Sequence, residues 1–160
     1  MRDRPASQFA LMSVLAALLL SSMRVTAADS RLYDSRCSLC HQGKAVGVPG
    51  QFPRLAGRVR EIASRPEGRR YLLHVVLFGL AGKIEIDGTP LVGLMPSFAA
   101  LSDEELAAAL NYLISLNGKE TVKHAPKPFT TAEIHEARAQ AAQTPTQVRS
   151  ERDAVVAPIA

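Results

Sequence analysis

One five-residue motif, Cys-Ser-Leu-Cys-His at residues 37–41, constrains this sequence more than any other stretch. It holds the only two cysteines of the 160 residues, and a histidine follows the second one directly. Two thiols three positions apart on a helical turn can form thioethers with the two vinyl groups of one porphyrin. The next residue then places its imidazole under the iron. The motif therefore predicts one covalent haem c, attached at Cys37 and Cys40, with His41 as an axial ligand.

Other uses of a closely spaced cysteine pair are open at this point. A thioredoxin-like redox pair needs a strand–helix–strand setting. A structural disulfide gains little from closing so small a loop, and a zinc site needs two further ligands at suitable spacing. Haem is favoured because separate features downstream point to the same cofactor.

The first 28 residues are typical of an export signal. Two arginines precede an apolar run at 10–20, and small residues follow at 26–28. The run is shorter than the roughly 20 residues that a membrane-spanning helix needs. An uncleaved anchor is the alternative, and Arg24 argues against it. We expect a signal peptide at 1–28, a periplasmic location and no stable membrane span after cleavage.

The charge of the whole sequence overstates any attraction to nucleic acid or membrane. There are 19 basic and 15 acidic residues, a net charge of +4. Residues 1–28 hold three of the basic residues and one of the acidic ones, so 16 against 14 remain after cleavage, a net charge of +2. Basic residues are not interleaved with aromatic ones, so we expect no nucleic-acid partner.

The residues just before the motif resemble the class I cytochromes c. A short helix is predicted at 30–36, and its pair Leu32 and Tyr33 lies ahead of the first cysteine. In the N-terminal helix of that family an aromatic at this position packs on the C-terminal helix. Ser30 stands where the family often has glycine, so we expect a slightly wider helix crossing and no change of fold.

A capped helix further along extends the resemblance. Ser102 and Glu105 form a predicted capping box, and an apolar stripe follows it. The segment 110–113, Leu-Asn-Tyr-Leu, resembles the C-terminal helix of class I cytochromes c. The likeness spans 30–118 and implies an all-α, cytochrome c-like fold for a domain at 29–118.

The segment after the motif is predicted to support the histidine. A ligating imidazole needs its second ring nitrogen tied to an acceptor, which fixes the tautomer. Pro53 is positioned like the family proline whose carbonyl is that acceptor, and Leu55 like the leucine that covers the porphyrin. Pro49 is the other candidate acceptor. The simpler interpretation is that Pro53 only ends a turn.

Met95 is the predicted second axial ligand. The sequence has four methionines, and the other three lie in the first 28 residues. A thioether is a soft, neutral ligand that raises the potential of haem iron. A lone methionine can instead fill a core. His74 is a less favoured candidate for the same position.

Further features are predicted between these sites. A helix is expected at 67–79, followed by a small edge hairpin at 83–92 around the turn Asp87-Gly88. Six arginines lie at 54–70. Such a run is usually a solvated face, and the alternatives are contacts with haem propionates or a docking patch for an acidic partner.

The composition changes towards the C-terminus. We expect an extension at 119–160 with one short helix at about 131–143, opened by a capping box of Thr130 and Glu133, and a flexible remainder. The alternative is an arm that docks onto a partner subunit.

The predicted function is single-electron transfer, which needs no bond-making residue in the protein. The stretch 79–98 resembles small bacterial cytochromes that accept electrons from periplasmic dehydrogenases, so the expected partner is such an enzyme or another redox protein. A free shuttle to a terminal oxidase is the alternative. A haem sensor or peroxidase-like protein, in which Met95 leaves the iron, is less favoured.

Overall fold

The computed structural model describes residues 29–117 and 125–156. The predicted export signal at 1–28 lies outside these residues, and so does His124. Within the described ranges, no helix combines the length and the apolarity that a membrane span requires.

Helix α1 carries the cysteine motif and is built from three consecutive helical runs. Ser30–Leu32 is α-helical, Tyr33–Cys37 forms a π-helical turn, and Ser38–His41 returns to the α form. The helix predicted at 30–36 therefore continues to the histidine of the motif. Single π turns inside helices are frequent at functional sites.

Helices α2 (Arg58–Ala63) and α3 (Pro66–Phe78) follow the loop after the motif. The second agrees with the helix predicted at 67–79, and the first was not predicted. Proline suits the first position of α3, where the missing N–H would have no partner. Gly79 ends the helix with a φ of +81°. Both helices bury one apolar face in the core.

Helix α4 (Asp103–Ser115) begins with the predicted capping box. The Ser102 hydroxyl accepts from the Glu105 N–H at 3.2 Å, and the Glu105 carboxylate accepts from the Ser102 N–H at 2.8 Å. Helix α4 packs against α1, where the rings of Tyr33 and Tyr112 lie 5.1 Å apart. The predominantly helical fold expected from the sequence is confirmed.

Strands β1 (Leu80–Ile86) and β2 (Thr89–Met95) form an antiparallel hairpin. Its two turn residues have φ values of +52° and +74°, and two positive values are typical of a tight two-residue turn. The register pairs Leu80 with Met95. The hairpin predicted at 83–92 is thus longer at its open end, and it places Met95 beside the end of α3.

The C-terminal extension is folded onto the helices. It contains α5 (Thr131–Arg138) and α6 (Pro145–Val156). The first starts at the predicted capping box, but it ends before residue 143. The second corrects the expectation of a flexible remainder, because it packs on α3 and β1.

One core joins helices α1 to α4 to the extension. The largest fully buried side chains come from both parts, and they are Tyr33, Leu77, Leu110, Phe129, Ile134 and Val148. Asn111 fixes the chain at Phe129, two residues before α5 begins. Its side-chain amide donates to the Phe129 carbonyl at 3.0 Å and accepts from the Phe129 N–H at 2.6 Å. The described part of the extension therefore belongs to the folded domain.

Candidate functional site

His41 is buried at the end of α1 and is held by the loop that follows it. Its Nδ1 lies 2.9 Å from the carbonyl oxygen of Pro53. Because a carbonyl only accepts, Nδ1 carries the proton. In the part of the chain that the structure describes, Pro53 and not Pro49 makes the contact with His41 that the sequence predicted. Among the described residues, none forms a hydrogen bond with Nε2, which leaves this nitrogen for a ligand.

The protonation of His41 suits metal binding. Burial lowers the pKa of its imidazole, and the hydrogen bond to Pro53 opposes this effect only in part. Neutral imidazole is the form that coordinates metal. The fold therefore keeps His41 in the state that a haem ligand needs.

Cys37 and Cys40 are free thiols, and both are half-buried. Burial raises the pKa of Cys37 to about 11, and the charge of a Cys40 thiolate adds to the shift. Redox-active pairs usually contain a thiol of lowered pKa, because the thiolate is the nucleophile. Cys37 is therefore not suited to be the nucleophile of a thioredoxin-like pair.

A cleft lies between the predicted axial ligands. His41 and Met95 both line it. Most of the remaining wall is apolar, from Pro53, Leu55, Val59, Ile62, Tyr71, Leu72, Val75, Leu80, Ile84, Ile86 and Val156. Three cationic side chains complete it, from Arg54, Arg58 and Arg152.

The backbone after Met95 is tied to the end of α3. The N–H of Phe98 donates to the Val76 carbonyl at 2.9 Å, and the Ser97 hydroxyl donates to the Leu77 carbonyl. These bonds fix the loop that follows β2. The position of Met95 on the cleft wall is therefore set by α3 and by its pairing in the hairpin.

The arginine run at 54–70 tethers distant segments and is not simply a solvated face. Arg54 and Arg58 both contact the Asp87 carboxylate in the hairpin turn, at 3.0 and 3.3 Å. Three others donate to backbone carbonyls of distant segments, namely Arg60 to Ile114, Arg65 to Val155 and Arg69 to Pro128. The run holds the hairpin, α4 and the extension to α2 and α3.

The remaining described histidines lie away from the cleft lining. His74 is buried on α3, and its Nδ1 lies 2.7 Å from the Glu151 carboxylate. His135 is exposed and lies 3.5 Å from Asp103. The structure therefore assigns His74 to the contact between α3 and α6. Of the two candidates for the second ligand, Met95 lines the cleft with His41 and His74 does not.

Two lining residues, Arg152 and Val156, were missed in the sequence because helix α6 was missed. The sequence nevertheless contains the pattern that starts a helix at this point. Thr144 and Gln147 form a reciprocal capping box, with N–H contacts of 3.2 and 2.7 Å, and Pro145 occupies the first helical position.

These residues fit a haem c. Two free thiols lie on one helical segment, and the histidine that follows them has a free ring nitrogen. The cleft beside it is apolar, and a thioether lines the same cleft. Imidazole and thioether together are an established ligand pair for haem iron in cytochromes c.

Comparisons with known proteins agree with this geometry. The family model described as cytochrome c oxidase, cbb3-type, subunit III, matches residues 26–113. A cytochrome c-552 of Thermus thermophilus is 43% identical over 140 residues, which cover 88% of this chain and 94% of the relative. Another cytochrome c-552 of the same species is 45% identical over 125 residues, or 78% of this chain and 95% of the relative.

Fold and site together define a small, mainly helical domain whose residues fit a haem. The family match and the two relatives make this specific: the chain belongs to the cytochrome c family. Members of this family bind haem c and carry electrons, and we describe the chain as an electron carrier of that kind.

Proposed function

We propose that the chain is an exported one-electron carrier that holds one haem c through thioethers to Cys37 and Cys40. The axial ligands are Nε2 of His41 and the sulfur of Met95. The observation that supports this most strongly is the cleft that both residues line, together with the bond from His41 Nδ1 to Pro53. The haem, once bound, supplies a one-electron couple.

The side chains around the cleft tune that couple. Pro53 fixes the orientation of His41 and increases the basicity of its free nitrogen. The neutral sulfur of Met95 favours the reduced state. Leu55 and the other apolar lining residues exclude water, and a low dielectric favours the less charged form of a buried site.

The two axial ligands are tested by spectroscopy of the exported protein. The wild type should show the weak sulfur-to-iron band at the red end of its ferric spectrum. Met95→Leu should lose this band and, when reduced, should bind carbon monoxide promptly. Leu94→Ala is the matched control, because Leu94 is the neighbouring residue and its side chain is 69% exposed. An unchanged spectrum in Met95→Leu would rule out the sulfur as a ligand.

The same spectra test the sensor or peroxidase-like alternative. In a carrier with two firm axial ligands, carbon monoxide should not shift the reduced spectrum promptly. A prompt shift in the wild type would favour a protein in which Met95 leaves the iron.

The expected electron donor is a periplasmic dehydrogenase or a similar redox protein. A second candidate, a free shuttle to a terminal oxidase, is favoured by the description of the matching family, which concerns an oxidase subunit. The packing of α6 on its own domain also favours a free carrier, because this helix is already engaged. Co-purification of a dehydrogenase from native periplasm would support a dedicated subunit. A monomer that native membranes oxidise rapidly would support the shuttle.

Export is tested separately. We expect the mature protein in the periplasmic fraction, with its N-terminus near residue 29. Recovery of the intact N-terminus in the membrane fraction would support the alternative of a retained anchor.

A further inference from the structure

Helix α6 forms one wall of the cleft. Arg152 and Val156, one helical turn apart, both line it. Two hydrogen bonds hold the helix on strand β1. Arg152 donates to the Glu85 carbonyl at 2.7 Å, and Arg149 donates to the Lys83 carbonyl at 2.9 Å. The C-terminal extension therefore supplies two residues of the cleft wall, in addition to packing on the rest of the domain.

Arg152 brings a positive charge into a largely apolar space. The residue is only 8% exposed. Burial lowers the pKa of its guanidinium from the usual value, yet arginine stays protonated in proteins. A buried charge of this kind acts over longer distances than a solvated one, because water and salt screen it less.

The acids nearest in sequence are engaged with other partners. Glu151 contacts His74 at 2.7 Å, and Asp153 pairs with Arg149 at 2.7 Å. Among the described residues, no carboxylate lies within ion-pairing distance of Arg152. The charge of this arginine is therefore not offset by direct pairing within the described structure.

The other two cations of the cleft each contact a carboxylate. Arg54 and Arg58 both contact the carboxylate of Asp87, at 3.0 and 3.3 Å. Their positive charge is partly compensated at the hairpin turn. Arg152 is therefore the one cation of the described lining without a carboxylate in direct contact.

We propose that Arg152 sets the reduction potential of the haem from the C-terminal side of the cleft. This inference rests on the proposed haem site. When a one-electron donor reduces the iron, the cofactor loses one positive charge. A fixed cation nearby repels the ferric state more than the ferrous state, so it favours reduction. Arg152 acts only through its charge and takes no part in bond making.

The test is a potentiometric titration of the haem-loaded, exported protein. Arg152→Gln should lower the equilibrium constant for reduction about tenfold, which is a fall of about 59 mV for a one-electron couple. Arg152→Lys keeps the charge and should stay near the wild-type potential. Arg149→Gln is the matched control. It removes an equal charge from the same helix and a similar bond to the same strand, but Arg149 does not line the cleft.

The possible results distinguish a failure of this inference from a failure of the proposed haem site. If Arg152→Gln shifts the potential no more than Arg149→Gln does, the inference is wrong while the haem site stands. An equal fall in Arg152→Lys and Arg152→Gln also overturns it, because packing and not charge would then be responsible. Failure of the wild type to carry haem would instead overturn the proposed function. If Arg152→Gln does not fold, Arg152→Leu provides the same comparison with an apolar side chain.

Discussion

A Cβ atom on Gly79 would lie 2.6 Å from the carbonyl oxygen of Met95. Gly79 also has a φ of +81°, a conformation that costs little only for glycine. The residue that ends α3 thus allows the end of β2 to lie directly against it. The position of the proposed sulfur ligand depends on this close approach of two backbones.

Substitution of Gly79 by alanine should therefore displace Met95. Both the positive φ and the contact with the Met95 carbonyl oppose a methyl group, so Gly79→Ala should lose roughly 1–3 kcal/mol of stability. It should also lose the sulfur-to-iron band of the ferric protein. Gly88→Ala is the control, since its φ is +74° and no atom lies within 4 Å of the position that its methyl group would take. Equal spectra in the two variants would contradict a specific effect on Met95.

The hydroxyl of Tyr33 is expected to stabilise the backbone just after the haem motif. It donates to the Gln42 carbonyl at 2.6 Å, and Gln42 has an unusual φ of +61°. Tyr33→Phe keeps the ring contact with Tyr112 but loses this bond, so it should cost about 1 kcal/mol in denaturant unfolding. Tyr112→Phe is the control, because the hydrogen bond to Gln42 remains. A loss of the same size in both variants would contradict the role of the bond.

Arg69 is predicted to be the strongest tether of the extension. Its guanidinium binds Glu133 through two contacts of 2.6 and 2.9 Å and lies 3.8 Å from the centre of the Phe129 ring. Lysine cannot reproduce this planar geometry. Arg69→Lys should cost about 1.5–3 kcal/mol, measured by guanidinium unfolding of the haem-loaded protein.

Arg70→Lys is the matched control for that experiment. The Arg70 side chain is 57% exposed, and it lies 3.7 Å from Glu151. A more exposed pair of this kind contributes up to about 1 kcal/mol, so the control should change little. A larger loss in Arg70→Lys than in Arg69→Lys would contradict the prediction.

The same tether should weaken in acid. Burial acts to raise the pKa of Glu133, but hydrogen bonds from Arg69 and Thr130 hold it below its usual value of 4.5. The folded state therefore binds a proton less readily than the unfolded state. The stabilisation is present above about pH 4.5 and is lost as the pH falls through the lower, folded pKa.

Glu133→Gln tests this pH dependence. The variant should be less stable than the wild type at neutral pH, and the difference should shrink as the solution is acidified below pH 4.5. Unfolding curves at several pH values measure it. A difference that stays constant down to strongly acid solution would show that ionisation of Glu133 does not contribute.

Local chemistry made the contact between Pro53 and His41 predictable from the sequence. The motif at 37–41 fixes the order of thiols and imidazole, and Pro53 lies in the loop that returns beneath His41. The structure brings Pro53 to His41 and lines one cleft with both His41 and Met95. The capping boxes of α4 and α5 also follow from short patterns, because each bond joins residues only three positions apart.

Helix α6 was missed because its buried stripe contains an arginine. Its buried positions, Val148, Arg152, Val155 and Val156, are spaced for one helical face, but the charged residue makes the segment look polar. The carbonyl of Glu85, distant in sequence, accepts from Arg152, and this partner is visible only in the fold. The hairpin residues outside 83–92 were also missed, because the pairing of Leu80 with Met95 depends on the register of the two strands.

The covalent haem at Cys37 and Cys40 is tested most directly by the mass of the exported protein after denaturation. One haem should remain attached to the chain, and a protease digest should place it on the peptide that contains residues 37–41. A chain that denatures to its bare mass, with the porphyrin released or absent, would contradict the covalent haem site.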